Sequence, residues 1–265
     1  MTAQALSVRT RRGWWLLLLS FAVFFVMLAP AALFDWAMSR ESTATLRFTA
    51  ESGTIWSGHG RVTVASDTSP VVIPVGWRFD PLSVLSLRLG FFIDANAPAL
   101  AGMTHVGLRL GEIELRDTTI EADASLLSMA HSAAALIAPT GKIRFQQSAD
   151  ERLNLKPATS GSDSWRVEGT MVANAEQLRF GGVINSPVGN HALKLRGDGA
   201  TINLSILPSS GPLKLEGAGT LALASPRRFT FSGFATAAGD APAALKQLGP
   251  TMADGRQRIE INTAW

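Results

Sequence analysis

From Thr43 onward the chain alternates apolar and polar residues, and this period of two is the tightest constraint on its fold. "TATLRFTA", "GRVTVAS", "VVIPVGWRF", "GLRLGEIELRD", "KIRFQQ", "ERLNLK", "SWRVEGTMVAN", "QLRFGG", "HALKLRGD", "TINLSIL", "PLKLEGAGTLALAS", "RRFTFSGFAT" and "RQRIEINTAW" all follow it. Successive side chains of a strand point to opposite faces, so each segment reads as a half-buried strand. Gly, Pro, Asp and Ser separate the segments. Short strands at such intervals imply an antiparallel design with one packed and one wet face. The expected fold is mainly β: a curved antiparallel β-sheet-rich domain, half-barrel or sandwich-like, with two or three short helices.

Three segments are the helix candidates. Asp80-Pro81 looks like an N-cap followed by Pro at N1, opening "LSVLS". "SLLSMAHSAAALIA", Ser125 to Ala138, has apolar residues at helical spacing. "APAALKQLG", Ala241 to Gly249, ends at Gly-Pro. The stretch "PATSGSDS", Pro157 to Ser164, has no large apolar residue and marks a possible break between two lobes.

Before the strands comes "GWWLLLLSFAVFFVMLAPAALF", Gly13 to Phe34, with no charge. At about 1.5 Å per residue such a run makes a helix long enough for a bilayer core. Trp14, Trp15 and Trp36, with Phe34, mark its ends, where amphipathic rings favour the interface. Arg9, Arg11 and Arg12 precede it, and the positive-inside rule keeps that side cytoplasmic. The division expected is a basic cytoplasmic N-terminus (1–12), a single transmembrane anchor (13–36) in the cell inner membrane, and a periplasmic β-rich domain (37–265). The competing reading is a cleaved signal peptide, with Ala29-Pro30-Ala31 as the small-x-small site.

Composition closes off several functions. The chain has 265 residues, a formal charge of +3 and no cysteine, so it has neither a disulfide framework nor a thiolate zinc site. The three N-terminal arginines account for the whole excess, leaving the remainder at 3 − 3 = 0. A neutral domain lacks the electrostatic footprint of a nucleic-acid binder. His59, His105, His131 and His191 lie far apart, none at metal-ligand spacing. No nucleotide-binding glycine motif or nucleophile elbow occurs. Glu112, Glu114, Glu168 and Glu176 read as solvated faces, although carboxylates distant in sequence leave a hydrolase open. The expectation is no enzyme, catalytic residue, metal, cofactor or small-molecule substrate.

The glycines of "SGTIWSGHGRVTV" lie within strands rather than before a helix. Gly53, Gly58 and Gly60 therefore mark bends or close backbone approach, and Trp56 is expected to fill the space they leave.

A basic N-terminus, one apolar span and then "GTIWSGHG" resemble the opening of the type II secretion system protein N family (general secretion pathway protein N). "WRFDPLSVL", from Trp77, is similar to that family's tryptophan strand and short helix. "SPVGNHALKLRGDGATINLSILPSSGPLKLEGAGTLAL", Ser186 to Leu223, resembles its glycine turn, two strands and Gly-Pro-Leu hairpin, here with Gly211, Pro212 and Gly217. "LKQLGPTMADGRQRIEI" resembles its closing helix, its Asp254-Gly255-Arg256 turn and its final strand. The middle, about Ala95 to Asp150, matches by pattern alone. The resemblance implies a non-enzymatic inner-membrane component of the apparatus that exports folded proteins from the periplasm across the outer membrane. Its implied partners are the inner-membrane platform or the outer-membrane secretin. Membrane-tethered sheets with one apolar face also resemble AsmA-like and TamB-like proteins, which implies the alternative of a lipid-binding groove, with membrane lipid as partner.

"RQRIEINTAW" is the last strand-like segment. Arg258 and Glu260 alternate there with Ile259 and Ile261, a pattern suited to an exposed edge that a partner strand could join. The rival expectation is an internal strand that completes the fold.

Overall fold

The computed structural model describes residues 4–39, 46–65, 70–126, 139–148, 151–158, 165–180, 189–237 and 250–264. Two helices, α1 (Gln4–Met27) and α2 (Ala31–Ser39), come first. The strands follow: β1 (Leu46–Gly53), β2 (Ser57–Val64), β3 (Val71–Asp80), β4 (Leu89–Ala97), β5 (Leu100–Arg109), β6 (Glu112–Asp123) and β7 (Pro139–Gln146). Then come β8 (Leu153–Pro157), β9 (Trp165–Phe180), β10 (Asn190–Gly199), β11 (Thr201–Ser210), β12 (Leu213–Ala222), β13 (Arg228–Ala237) and β14 (Gln257–Ala264).

The helical start differs from one uncharged span. The run expected as a single helix through Phe34 divides at residues 28–30, and Phe34 and Trp36 belong to α2. Pro30 is the reason: it disfavours helical backbone at Ala29 and donates no N–H itself. Pro30 instead bridges to Thr54, and Ile55 N donates to the Ala29 carbonyl at 3.0 Å. Among the described residues, no helix is long and apolar enough to cross a membrane.

All strands join one fourteen-stranded antiparallel sheet, nearly in chain order, from β1 at one end to β14 at the other. β7 and β8 lie end to end between β6 and β9. β8 and β9 flank the stretch expected to separate two lobes, yet they pair directly, Pro157 opposite Trp165. Residues 159–164 lie outside the described set, as do 127–138 and 241–249, where two helices were expected. The third expected helix is present as a 3-10 helix, Pro81–Ser86, with Asp80 Oδ1 accepting from Leu82 N at 3.0 Å.

The alternation sorts side chains between the two faces, and it does so also in β4, a strand not among those expected from the sequence. Along β4, Phe91, Ile93, Ala95 and Ala97 are covered or half-covered, whereas Phe92, Asp94 and Asn96 are exposed. Register carries this apolar face from strand to strand: Phe48↔Val62↔Ile73, Trp77↔Ile93, Phe91↔Val106, Ile120↔Phe145↔Ala173↔Leu193, and Phe231↔Ile261. It is not a sandwich core. Leu115, Ile120, Phe145, Leu193, Leu204 and Leu215 are only half-buried, where a second layer would bury them fully. Burial concentrates at the β1 end, where Ala31 of α2 packs with Phe48, Trp77, Ala50, Val62, Phe91 and Ile93.

Candidate functional site

The first place where sequence signals converge is the β1–β2 turn. Gly53 there has φ +99, and a Cβ would meet Ser57 O at 2.3 Å, so only glycine fits. Thr54 Oγ1 accepts from the backbone N–H groups of Trp56 and Ser57, both at 3.2 Å, which tightens the turn. Trp56 does not lie over the glycines. Its indole Nε1 donates to the Val26 carbonyl in the last turn of α1 at 2.8 Å. That carbonyl, in the turn that ends the helix, also accepts from Ala29 N at 3.3 Å. Trp77 and Phe48 take the role expected of Trp56. A Cβ on Gly58 would lie 2.5 Å from Trp77 Cζ2, and one on Gly60 would lie 3.1 Å from Phe48 Cζ. Trp77 is also tied by Nε1 to Thr54 O at 3.1 Å. The turn therefore fastens α1 to the sheet through Trp56 and fastens itself to the sheet through Trp77.

The same device recurs far along the sheet. Gly211 (φ +138) turns the chain from β11 to β12 ahead of Pro212, and Leu213 is buried beyond it. The Phe231 ring occupies the room that Gly217 leaves, 2.7 Å from a Cβ there. Asp254, Gly255 and Arg256 form the turn into β14. Asp254 accepts from Arg256 N at 3.0 Å and from Arg256 Nε at 2.6 Å, and the guanidinium lies 4.6 Å over Phe234. The Arg256 backbone N–H, then its guanidinium, hold the Asp254 carboxyl below its usual value.

Among the described strands β14 is the last in the sheet and pairs with β13, while residues 250–251 meet its start on the other side: Thr251 bridges to Gln257 and Arg258 N donates to Pro250 O at 3.2 Å. Arg258 and Glu260 pair on its exposed face, while Ile259 is half-buried on the other. β14 thus stands last in the strand order of the described residues, and beyond Arg258 no described strand pairs with its outer side.

Two features escaped the sequence reading. Glu114, expected on a solvated face, is 6% exposed. Its carboxylate pairs with Arg88, with Arg116 Nε at 2.6 Å and with Arg152 Nε at 3.3 Å. Glycine explains the burial: Gly107 and Gly90 on neighbouring strands present no side chain, so the 3-10 helix lies close and brings Arg88 over the sheet. His105 belongs to the same cluster, stacked on Phe92 at 4.6 Å with Nε2 3.4 Å from Asp80 Oδ2. His59 is exposed, His191 is buried, and His131 lies outside the described residues. The second missed feature is the 3-10 helix itself, whose one buried residue is Ser83 and whose leucines face outward. Among the described residues no three or more His, Asp or Glu side chains gather as a metal site.

Comparison with known proteins adds one match. The family model described as type II secretion system (T2SS), protein N, matches residues 44–260. Curated proteins yield no match, and solved structures yield none.

Proposed function

The chain belongs to the type II secretion system protein N family, and from that premise we propose that it serves the export apparatus as a membrane-anchored, non-enzymatic part acting through contacts. Members are structural components of this apparatus, and membership implies interaction with its other components. In the proposed arrangement α1 sits in the inner membrane with Arg9, Arg11 and Arg12 in the cytoplasm and the sheet in the periplasm. The described side chains of α1, Trp14 to Met27, are exposed and apolar apart from Ser20, which favours a hydrocarbon surrounding. Within α1 the uncharged part, Gly13 to Met27, reaches about 22 Å, so the proposal requires the basic side chains before it to extend to the headgroups and the apolar residues after Met27 to complete the crossing.

The observation that carries the contact reading is β14, an edge strand at the end of an open sheet. A partner segment that adds there, beyond the part met by residues 250–251, gains main-chain hydrogen bonds. A photo-crosslinking residue at Glu260, used in secreting cells, tests this. Adducts with another secretion component are expected, and their absence from a secretion-competent protein would reject the edge as the contact.

The half-buried apolar face favours a second reading, a groove that holds lipid acyl chains. Phospholipid copurifying with the intact protein, and lost on Leu193→Arg, is its expected signature. A lipid-free preparation would discard it.

A further inference from the structure

Apolar residues crowd one short stretch of the sheet's rim. The 3-10 helix exposes Leu82, Val84 and Leu85, and the chain leaves it through Leu87. Leu85 and Leu87 are 85% and 84% exposed. Leu87 is held in the left-handed region (φ +55), which non-glycine residues seldom adopt, by Leu87 N to Val84 O at 2.9 Å. The polarity of this helix is inverted, since serine faces the sheet and the leucines face out. Ser83 has a reason to face in, because its hydroxyl accepts from Gly90 N at 2.7 Å. No packing reason keeps the leucines out. Leu89 pairs with Leu108, next to the β5–β6 turn, and that turn exposes Leu110 as well. Leucines scattered singly on a surface need no explanation, but a contiguous group marks a contact.

The place of this group decides what it contacts. Phe79 N donates to Trp56 O at 2.6 Å, and the Phe79 ring lies 4.8 Å from the Trp56 ring. Trp56 in turn holds the last turn of α1. The leucine rim therefore begins three residues beyond a side chain packed against the residue that holds the end of the apolar helix. Arginines flank it: Arg78 and Arg109 are exposed, and Arg88 is anchored by Glu114. Apolar tips with cations set behind them match a bilayer surface, hydrocarbon below and anionic headgroups above.

We infer that Leu82, Leu85, Leu87 and Leu110 insert into the leaflet into which α1 opens, giving the protein a second membrane contact that fixes the sheet's rim against the bilayer. This rests on the reading of α1 as the anchor, and the two fail separately. Because the chain has no cysteine, single-cysteine variants carry a polarity-sensitive fluorophore at one place only. Leu85→Cys, Phe21→Cys and Lys214→Cys, the last exposed on β12, are made in the full chain and placed in vesicles containing phosphatidylglycerol. The Leu85 label should shift to shorter wavelength and lose intensity with doxyl-labelled lipid, while the Lys214 label does neither. A Leu85 label in water beside a Phe21 label in hydrocarbon overturns the inference and leaves the anchor standing. Both labels in water reject both. A shifted Leu85 label untouched by doxyl lipid is covered by protein, and also overturns the inference.

Discussion

Trp77 and Trp56 separate by burial. Trp77 is 8% exposed, packs edge-on against Phe48 and fills the space over Gly58. Trp77→Ala should destabilise the domain by about 3–5 kcal/mol, as truncation of a buried large aromatic does. Trp56 is half-buried, with one hydrogen bond to α1 and one ring contact with Phe79, so Trp56→Ala should cost about 1–2 kcal/mol. Urea melts of both variants rank them, and a larger loss for Trp56→Ala would reverse the assignment. Glu114 and Glu121 form a second contrast. Glu114→Gln weakens a carboxylate buried among Arg88, Arg116 and Arg152, a loss of about 2 kcal/mol or more. Glu121 sits in an exposed pairing with Lys142 and Arg144, and Glu121→Gln should leave the melting midpoint nearly unchanged. The Lys142 side chain, then that of Arg144, hold the Glu121 carboxyl below its usual value. With a folded value below the unfolded one, its contribution is present at neutral pH and disappears as pH falls through the folded value. An NMR titration of Glu121 should accordingly show a midpoint under the ordinary glutamate value.

At the scale of elements, the junction between α1 and the sheet makes its own prediction. Ala29 and Ala31 are buried, and Ala29 is bound to Ile55. Folding thus withdraws the small-x-small sequence from any protease that needs extended, accessible backbone. N-terminal sequencing of the mature protein should find the original N-terminus, whereas a chain beginning at Ala32 would show cleavage before folding. β14 supplies the other element-level test. Asn262, Thr263 and Ala264 pair with Thr230, Phe229 and Arg228 at one end of the strand only. Removing residues 262–265 shortens the edge without touching the apolar cluster around Trp77, so the truncated protein should remain folded and secrete poorly. Normal secretion by a folded truncation would remove that end of β14 from the mechanism.

For the whole molecule, an open sheet with few fully buried side chains has little core of its own. Neighbouring strands meet through short, local connections almost throughout, and the apolar face is shared among them rather than closed under a second layer. Bringing that face fully out of water would yield about 25 cal/mol for each Å² removed. Acyl chains or a partner surface that cover it should therefore raise the melting temperature in proportion to occupancy. Melting the protein before and after detergent delipidation checks this, and an unchanged midpoint would show that the face is self-sufficient.

Most of the strands, the faces they present and the family are legible in the residue pattern alone. Period two is a local property, and a run such as "HALKLRGD" states which side of β10 packs without reference to anything else. The turn glycines Gly53, Gly211 and Gly255 were legible for the same reason, since their positive φ is a demand of the local backbone. Only the tertiary structure decided which side chain meets which gap. Trp56 and Trp77 are both tryptophans beside glycine-rich strands, and register alone sets Trp77 opposite Gly58. Glu114 has the alternation of a solvated residue, and its burial depends on Gly90, Gly107 and two arginines, Arg88 and Arg152, brought in from other segments beside Arg116 of its own strand. Each of these outcomes depends on contacts between segments far apart in the chain, which a pattern of neighbours cannot encode.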